Sequence, residues 1–171
     1  MPRVKVPVLL LLTVVLNGSV LASIRVDRVR PDALLLMTIL VALSVGPERG
    51  AVLGFAAGVL ADLTLQTPFG LSALAFTLVG FAVGTLQSAI LRSAWWIPPL
   101  TAAVASAIAV GLFVVLGAIV GQSQLLRPGL PHVGIVAGLV GLMNGVLAVP
   151  AAALVRWAFS GGQPERAYAA R

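Results

Sequence analysis

The sequence has no cysteine and a single histidine in 171 residues. Without a thiol there is no disulfide scaffold, no thiolate metal site and no cysteine nucleophile. The histidine, His132, stands between Pro131 and Val133 in a linker without a second imidazole to share a metal, and reads as a surface-loop residue. Charge is scarce too: charged residues make up 9% of the chain, and only five are acidic. A soluble domain needs a charged shell that this composition cannot supply. There is no phosphate-binding loop, and Ser72 in Gly70-Leu71-Ser72-Ala73-Leu74 lacks the second glycine, the base and the strand-to-helix setting of a nucleophile elbow. Ser72 is therefore assigned to helix packing. No catalysis, metal or cofactor is expected.

What the chain does have is apolar residues, 60% of the total, with a mean hydropathy of +1.09. At roughly 20 residues per span, that fills about five or six membrane helices and leaves almost nothing for an extramembrane domain. The net charge of +6 comes from ten arginines and Lys5 against the five acids. In so apolar a chain these are topology signals and contacts with the lipid bilayer, not a nucleic-acid surface.

The breaks in the apolar runs predict an all-α, polytopic membrane protein of six transmembrane helices, at about 6–24, 31–46, 47–65, 69–91, 98–121 and 133–159. The first run follows Arg3 and Lys5; Val20-Leu21-Ala22 offers a signal cleavage site, but the run exceeds a typical signal core and reads as a retained helix. Asp32, after Pro31, suits an N-cap. Gly46-Pro47-Glu48-Arg49 reads as a tight turn, Gly46 ending one helix and Pro47 opening the next. Thr67-Pro68 reads as another N-cap and first helical position. The Pro98-Pro99 pair starts the fifth helix, and Pro150 marks a kink in the sixth. Residues 160–171 are polar and read as a disordered cytoplasmic tail. Counting Lys and Arg on the two sides gives 7 (Arg3, Lys5, Arg49, Arg92, Arg156, Arg166, Arg171) against 4 (Arg25, Arg28, Arg30, Arg127), which places both termini in the cytoplasm. Trp95, Trp96 and Trp157 fall on the same inner interface.

Gly50, Gly54, Gly58 and Asp62 recur every four residues and form one stripe along the third helix. Such a stripe lets another helix approach to backbone distance. Asp62 lies 13 residues beyond Arg49, about 20 Å along the helix, and a carboxylate at that depth must face protein or water. It either pins the turn into the fourth helix, whose free N–H groups near Pro68 to Leu71 make an anion site, or binds a partner or solute. The pairs Gly80/Gly84, Gly117/Gly121, Gly134/Gly138 and Gly141/Gly145 predict close packing of most other helices, and Asn144 an interhelical hydrogen bond.

Arg30-Pro31-Asp32-Ala33-Leu34-Leu35-Leu36, Gly50-x3-Gly54-Phe55-x2-Gly58-x2-Ala61-Asp62-Leu63, Pro68-Phe69-Gly70-Leu71-x2-Leu74 and Gly80-Phe81-x2-Gly84 together resemble the bacterial rod-shape-determining MreD family, over roughly residues 28–86. By position, Pro31, Asp32, Gly54, Phe55, Gly58, Asp62, Pro68 and Gly70 carry the likeness, with Gly50 heading the stripe. The resemblance implies a six-span protein of the bacterial inner membrane, without enzymatic activity, similar in fold to the S-components of energy-coupling-factor transporters. It implies work in the cell-wall elongation machinery with the bitopic partner MreC, near RodA and a class B penicillin-binding protein, and indirectly with MreB. The competing reading is a solute-binding S-component of a vitamin transporter. That function needs convergent polar groups, and the spans offer only Asn144, Gln87, Thr77, Thr101 and Ser106, which favours a scaffold.

Overall fold

A computed structural model describes residues 11–15, 29–64, 68–87, 96–122 and 129–159, with side chains as far as 155. The signal-cleavage motif, Arg25 and Arg28, Thr67, Arg92, Trp95, Arg127 and the tail lie outside these residues, as does the Trp157 side chain. Every element among the described residues is helical: 11–15 (α1), Ala33–Val45 (α2), Pro47–Asp62 (α3), Leu71–Thr85 (α4), Ile97–Ile119 (α5) and Leu130–Phe159 (α6).

The centre is α2. Its ten consecutive residues Leu34 to Leu43 are all buried, because the helix is apolar on every side and touches α3, α4, α5 and α6. Around it stand two antiparallel pairs, the α3–α4 hairpin and the α5–α6 pair, which make the most extensive contacts in the molecule. Gly46 joins α2 to α3 in a single residue: its φ of +90° ends α2, its N–H bonds the Ala42 carbonyl at 3.0 Å, and Pro47 follows at once. A side chain would be strained at that φ.

The helix lengths divide the expected spans. At 1.5 Å per residue, α2, α3 and α4 (13, 16 and 15 residues) are about 20–24 Å long, short of a hydrocarbon core about 30 Å thick. Among the described residues, only Ile97–Ile119 and Leu130–Val155 are long and apolar enough to cross. Within the expected spans 47–65 and 69–91, α3 stops at Asp62 and α4 begins only after Gly70, so both helices are shorter than the spans read from the sequence. These two long helices are mostly unburied despite mean hydropathies of 2.5 and 2.0, and Leu100, Ile108, Val115 and Leu142 stand exposed on them. Apolar side chains that face outward in such numbers suit a lipid surface.

The fourth helix starts later than the sequence suggests. Pro68 is not at its first position; Gly70 is the N-cap, at φ +99°, and Leu71 begins the helix. The reason lies in Asp62, which takes the helix's free N–H groups and so fixes where it starts. The sixth helix starts earlier, at Leu130, and continues through Pro150 as one helix.

Candidate functional site

The glycine stripe sets the α3–α4 crossing. A methyl group on Gly50 would lie 2.7 Å from the Gly80 carbonyl oxygen, and methyls on Gly54 and Gly58 would collide with the backbone of Phe76 and of Ser72 and Ala73. Gly80 meets Gly50 in return, and Gly84 meets Pro47. The two helices thus run antiparallel at backbone contact for the full length of α3, gaining dispersion contacts that lipid cannot offer. Phe55, one residue along from Gly54, faces the other way and is 57% exposed, so it takes no part in that packing. Gly141 and Gly145 do the same work between α6 and α5, against Ala103 and Pro99. A methyl group added at Gly121, Gly134 or Gly138, where the sequence predicts close packing, would meet no described atom within 4 Å. A methyl group on Gly70 would likewise meet no described atom; its role is the positive φ and the N–H it presents to Asp62.

Asp62 closes the top of the stripe. It is buried, and its carboxylate accepts from the N–H groups of Gly70 (2.8 Å), Ser72 (3.0 Å) and Ala73 (3.2 Å). Gly70 has no side chain with which to cap α4, so the cap comes from the preceding helix. Asp32 caps α2 in the ordinary way, its Oδ1 accepting from Leu34 N (3.0 Å) and Leu35 N (3.1 Å). Two helix N-termini therefore converge, each with its own carboxylate.

A third polar group joins these halves. Asn144 of α6 is fully buried and pairs with the Asp32 main chain in both senses: Oδ1 accepts from Asp32 N at 3.2 Å and Nδ2 donates to Asp32 O at 3.3 Å. Nδ2 also donates to Ser106 Oγ of α5 at 2.9 Å. The other polar side chains noted from the sequence bind locally: Thr77 donates to the Ala73 carbonyl, and Gln87 to that of Ser44.

Beside the two caps lies a cavity of about 260 Å³. Arg30, Asp32, Thr64 and Ser72 form its polar wall among the described residues, and Leu35, Phe76, Phe113 and Val140 most of its apolar wall. No group of three or more potential metal ligands occurs among the described residues. The arrangement can hold helices together and can admit a small group, but it brings no nucleophile and base together.

A family model described as rod shape-determining protein MreD matches residues 2–128. The chain belongs to the MreD family. It is on that ground a membrane protein of the rod-shape-determining type, from a family of shape-determining proteins rather than of enzymes. Searches of curated proteins and of solved structures found no match. The family match covers α2 to α5 and ends before α6, so Asn144 lies beyond it while the Asp32 and Ser106 it binds lie within.

Sequence reasoning missed the Asp32–Asn144–Ser106 junction as a unit. The signal available was weak: a single amide and a single buried serine, on helices with no common motif.

Proposed function

We propose that this protein is a non-enzymatic scaffold of the cell-wall elongation machinery, multi-pass in the bacterial inner membrane with both termini cytoplasmic. Its partners on this reading are an MreC-like bitopic protein and a RodA and class B penicillin-binding protein complex, with an MreB-like cytoskeleton reached indirectly. Besides the family, the observation that carries this reading is how the polar groups are used. Asp32, Asp62, Asn144 and Ser106 bind the protein's own caps and helices, while the outward faces are apolar. A groove of about 310 Å³ between α4 and α5, lined by Val79, Ala82, Val83, Val104, Ala105 and Ile108, gives an apolar helix a shallow, small-residue floor. The 7-to-4 distribution of basic residues supports the orientation.

Depletion of the protein in its native cells, followed by microscopy, tests the proposal. Rod-shaped cells should round up, and co-purification of the bitopic partner should be lost. Cells that keep their shape but acquire a vitamin requirement would overturn it in favour of solute uptake.

A further inference from the structure

The helices α2 to α6 fall into two tightly closed units. In α2–α4, a methyl group on Gly50 would meet Ala42 of α2 as well as Gly80 of α4, and one on Gly54 or Gly80 would meet the Thr38 methyl of α2. In α5–α6, Gly141 and Gly145 lie as closely against Ala103 and Pro99. Helices interlocked at backbone distance have no room to slide, so each unit moves as one body.

The seam between the units is built differently. Contact between α4 and α5 is far slighter than contact within α3–α4 or α5–α6, and both cavities described above lie along it. The cavity of about 260 Å³ has Leu35 and Phe76 on one side and Ala109, Phe113 and Val140 on the other. The groove of about 310 Å³ has Val79, Val83 and Leu86 on one side and Leu100, Val104 and Ala105 on the other. One space thus takes the start of α4 and the later part of α5, the other the end of α4 and the start of α5. They lie at opposite ends of the seam, and the buried Phe76, Val79, Ala105 and Ala109 occupy its middle. Asn144 ties the units at this same level: Ser106, which its Nδ2 reaches, lies between Ala105 and Ala109, and its remaining bonds go to the Asp32 main chain. A body held at its middle with space toward both ends can tilt, and closing one space opens the other.

The helix lengths supply the force. At 1.5 Å per residue, α5 is about 34 Å long and α6 about 45 Å, both beyond a hydrocarbon core of about 30 Å, whereas α2, α3 and α4 fall short of it. A long apolar helix fits a thinner bilayer by tilting further; a short one gains nothing by doing so. A change in thickness therefore acts unequally on the two units, and the seam is where they can part.

We propose that the α5–α6 pair rocks on the α2–α4 unit, pivoting where Asn144 joins Asp32 and Ser106, so that bilayer thickness sets which of the two spaces is closed.

Dipolar EPR on the full chain tests this, since a sequence without cysteine accepts paired nitroxide labels cleanly. L86C/L100C reports on the groove end of the seam, L74C/V115C on the cavity end, and V52C/F81C on the interior of the α3–α4 hairpin; all six side chains are exposed in the wild type. Between vesicles of dimyristoyl and dierucoyl phosphatidylcholine, the two seam distances should shift in opposite directions by about 2 Å, the displacement that a tilt of about 10° gives at about 11 Å from the pivot. The V52C/F81C distance should stay the same in both lipids. Seam distances that are independent of the lipid, or that change in the same sense, would overturn the proposal, as would an equal shift within the hairpin.

Discussion

Asp62 shows what a single carboxylate can organise in an apolar chain. The sequence marks it out because it ends a four-residue glycine period, and it left open whether the group holds the turn or a partner. The structure gives it three backbone donors from the start of α4, which Gly70 cannot cap itself. Replacing it with alanine strips a buried, charged acceptor from all three. At about 2–3 kcal/mol for such a loss and about 2–4 °C per kcal/mol, Asp62→Ala should lower the melting temperature of the detergent-solubilised protein by roughly 4–12 °C. A melting temperature equal to wild type would show that the cap does not hold the hairpin. By contrast, what Asn144 binds could not be read from the sequence. Its partner Asp32 is 112 residues away and is engaged through main-chain atoms, which carry no side-chain signature.

For helices, period is legible and facing is not. Gly54/Gly58 and Gly134/Gly138 have the same spacing, and both pairs were read as packing surfaces. In the fold, Gly54 lies against the Phe76 carbonyl while a methyl group on Gly138 would meet no described atom. The difference arises from which face the neighbouring helix covers, a property of the assembled bundle rather than of the helix itself. It separates two otherwise identical substitutions. Gly54→Ala forces a methyl into backbone and should destabilise by about 1–3 kcal/mol, as overpacking does. Gly138→Ala gains helix propensity with no clash and should be neutral or stabilising by up to about 1 kcal/mol. Paired thermal melts check the opposite signs; a destabilised Gly138→Ala would mean that something packs on that face.

At the scale of the bundle, the described helices α2 to α6 form a buried short helix held between two pairs of unlike length. Hydropathy together with the Gly46-Pro47 break separates α2 from α3 correctly, but it does not show that α3 stops at Asp62 and that α4 starts only after Gly70, which leaves these helices about 20–24 Å long. That α2 is the helix enclosed on all sides does agree with its sequence, which is apolar on every face and has no charged residue and no glycine. What joins the α5–α6 pair to α2 in polar terms is Asn144, and its two contacts are unequal. Ser106→Ala removes one side-chain bond and leaves Asn144 paired with the Asp32 main chain, so the loss should be near 0.6 kcal/mol, roughly the mean for such bonds between membrane helices. Asn144→Leu removes the acceptor for Asp32 N, while Asp32 O retains Leu36 N as a donor. One N–H is then orphaned beside a fully buried position, a penalty of about 1–3 kcal/mol. Denaturation of the solubilised protein should therefore rank Asn144→Leu well below Ser106→Ala in stability. Equal losses would show that the serine bond, not the pairing with the α2 cap, joins the long helices to the centre.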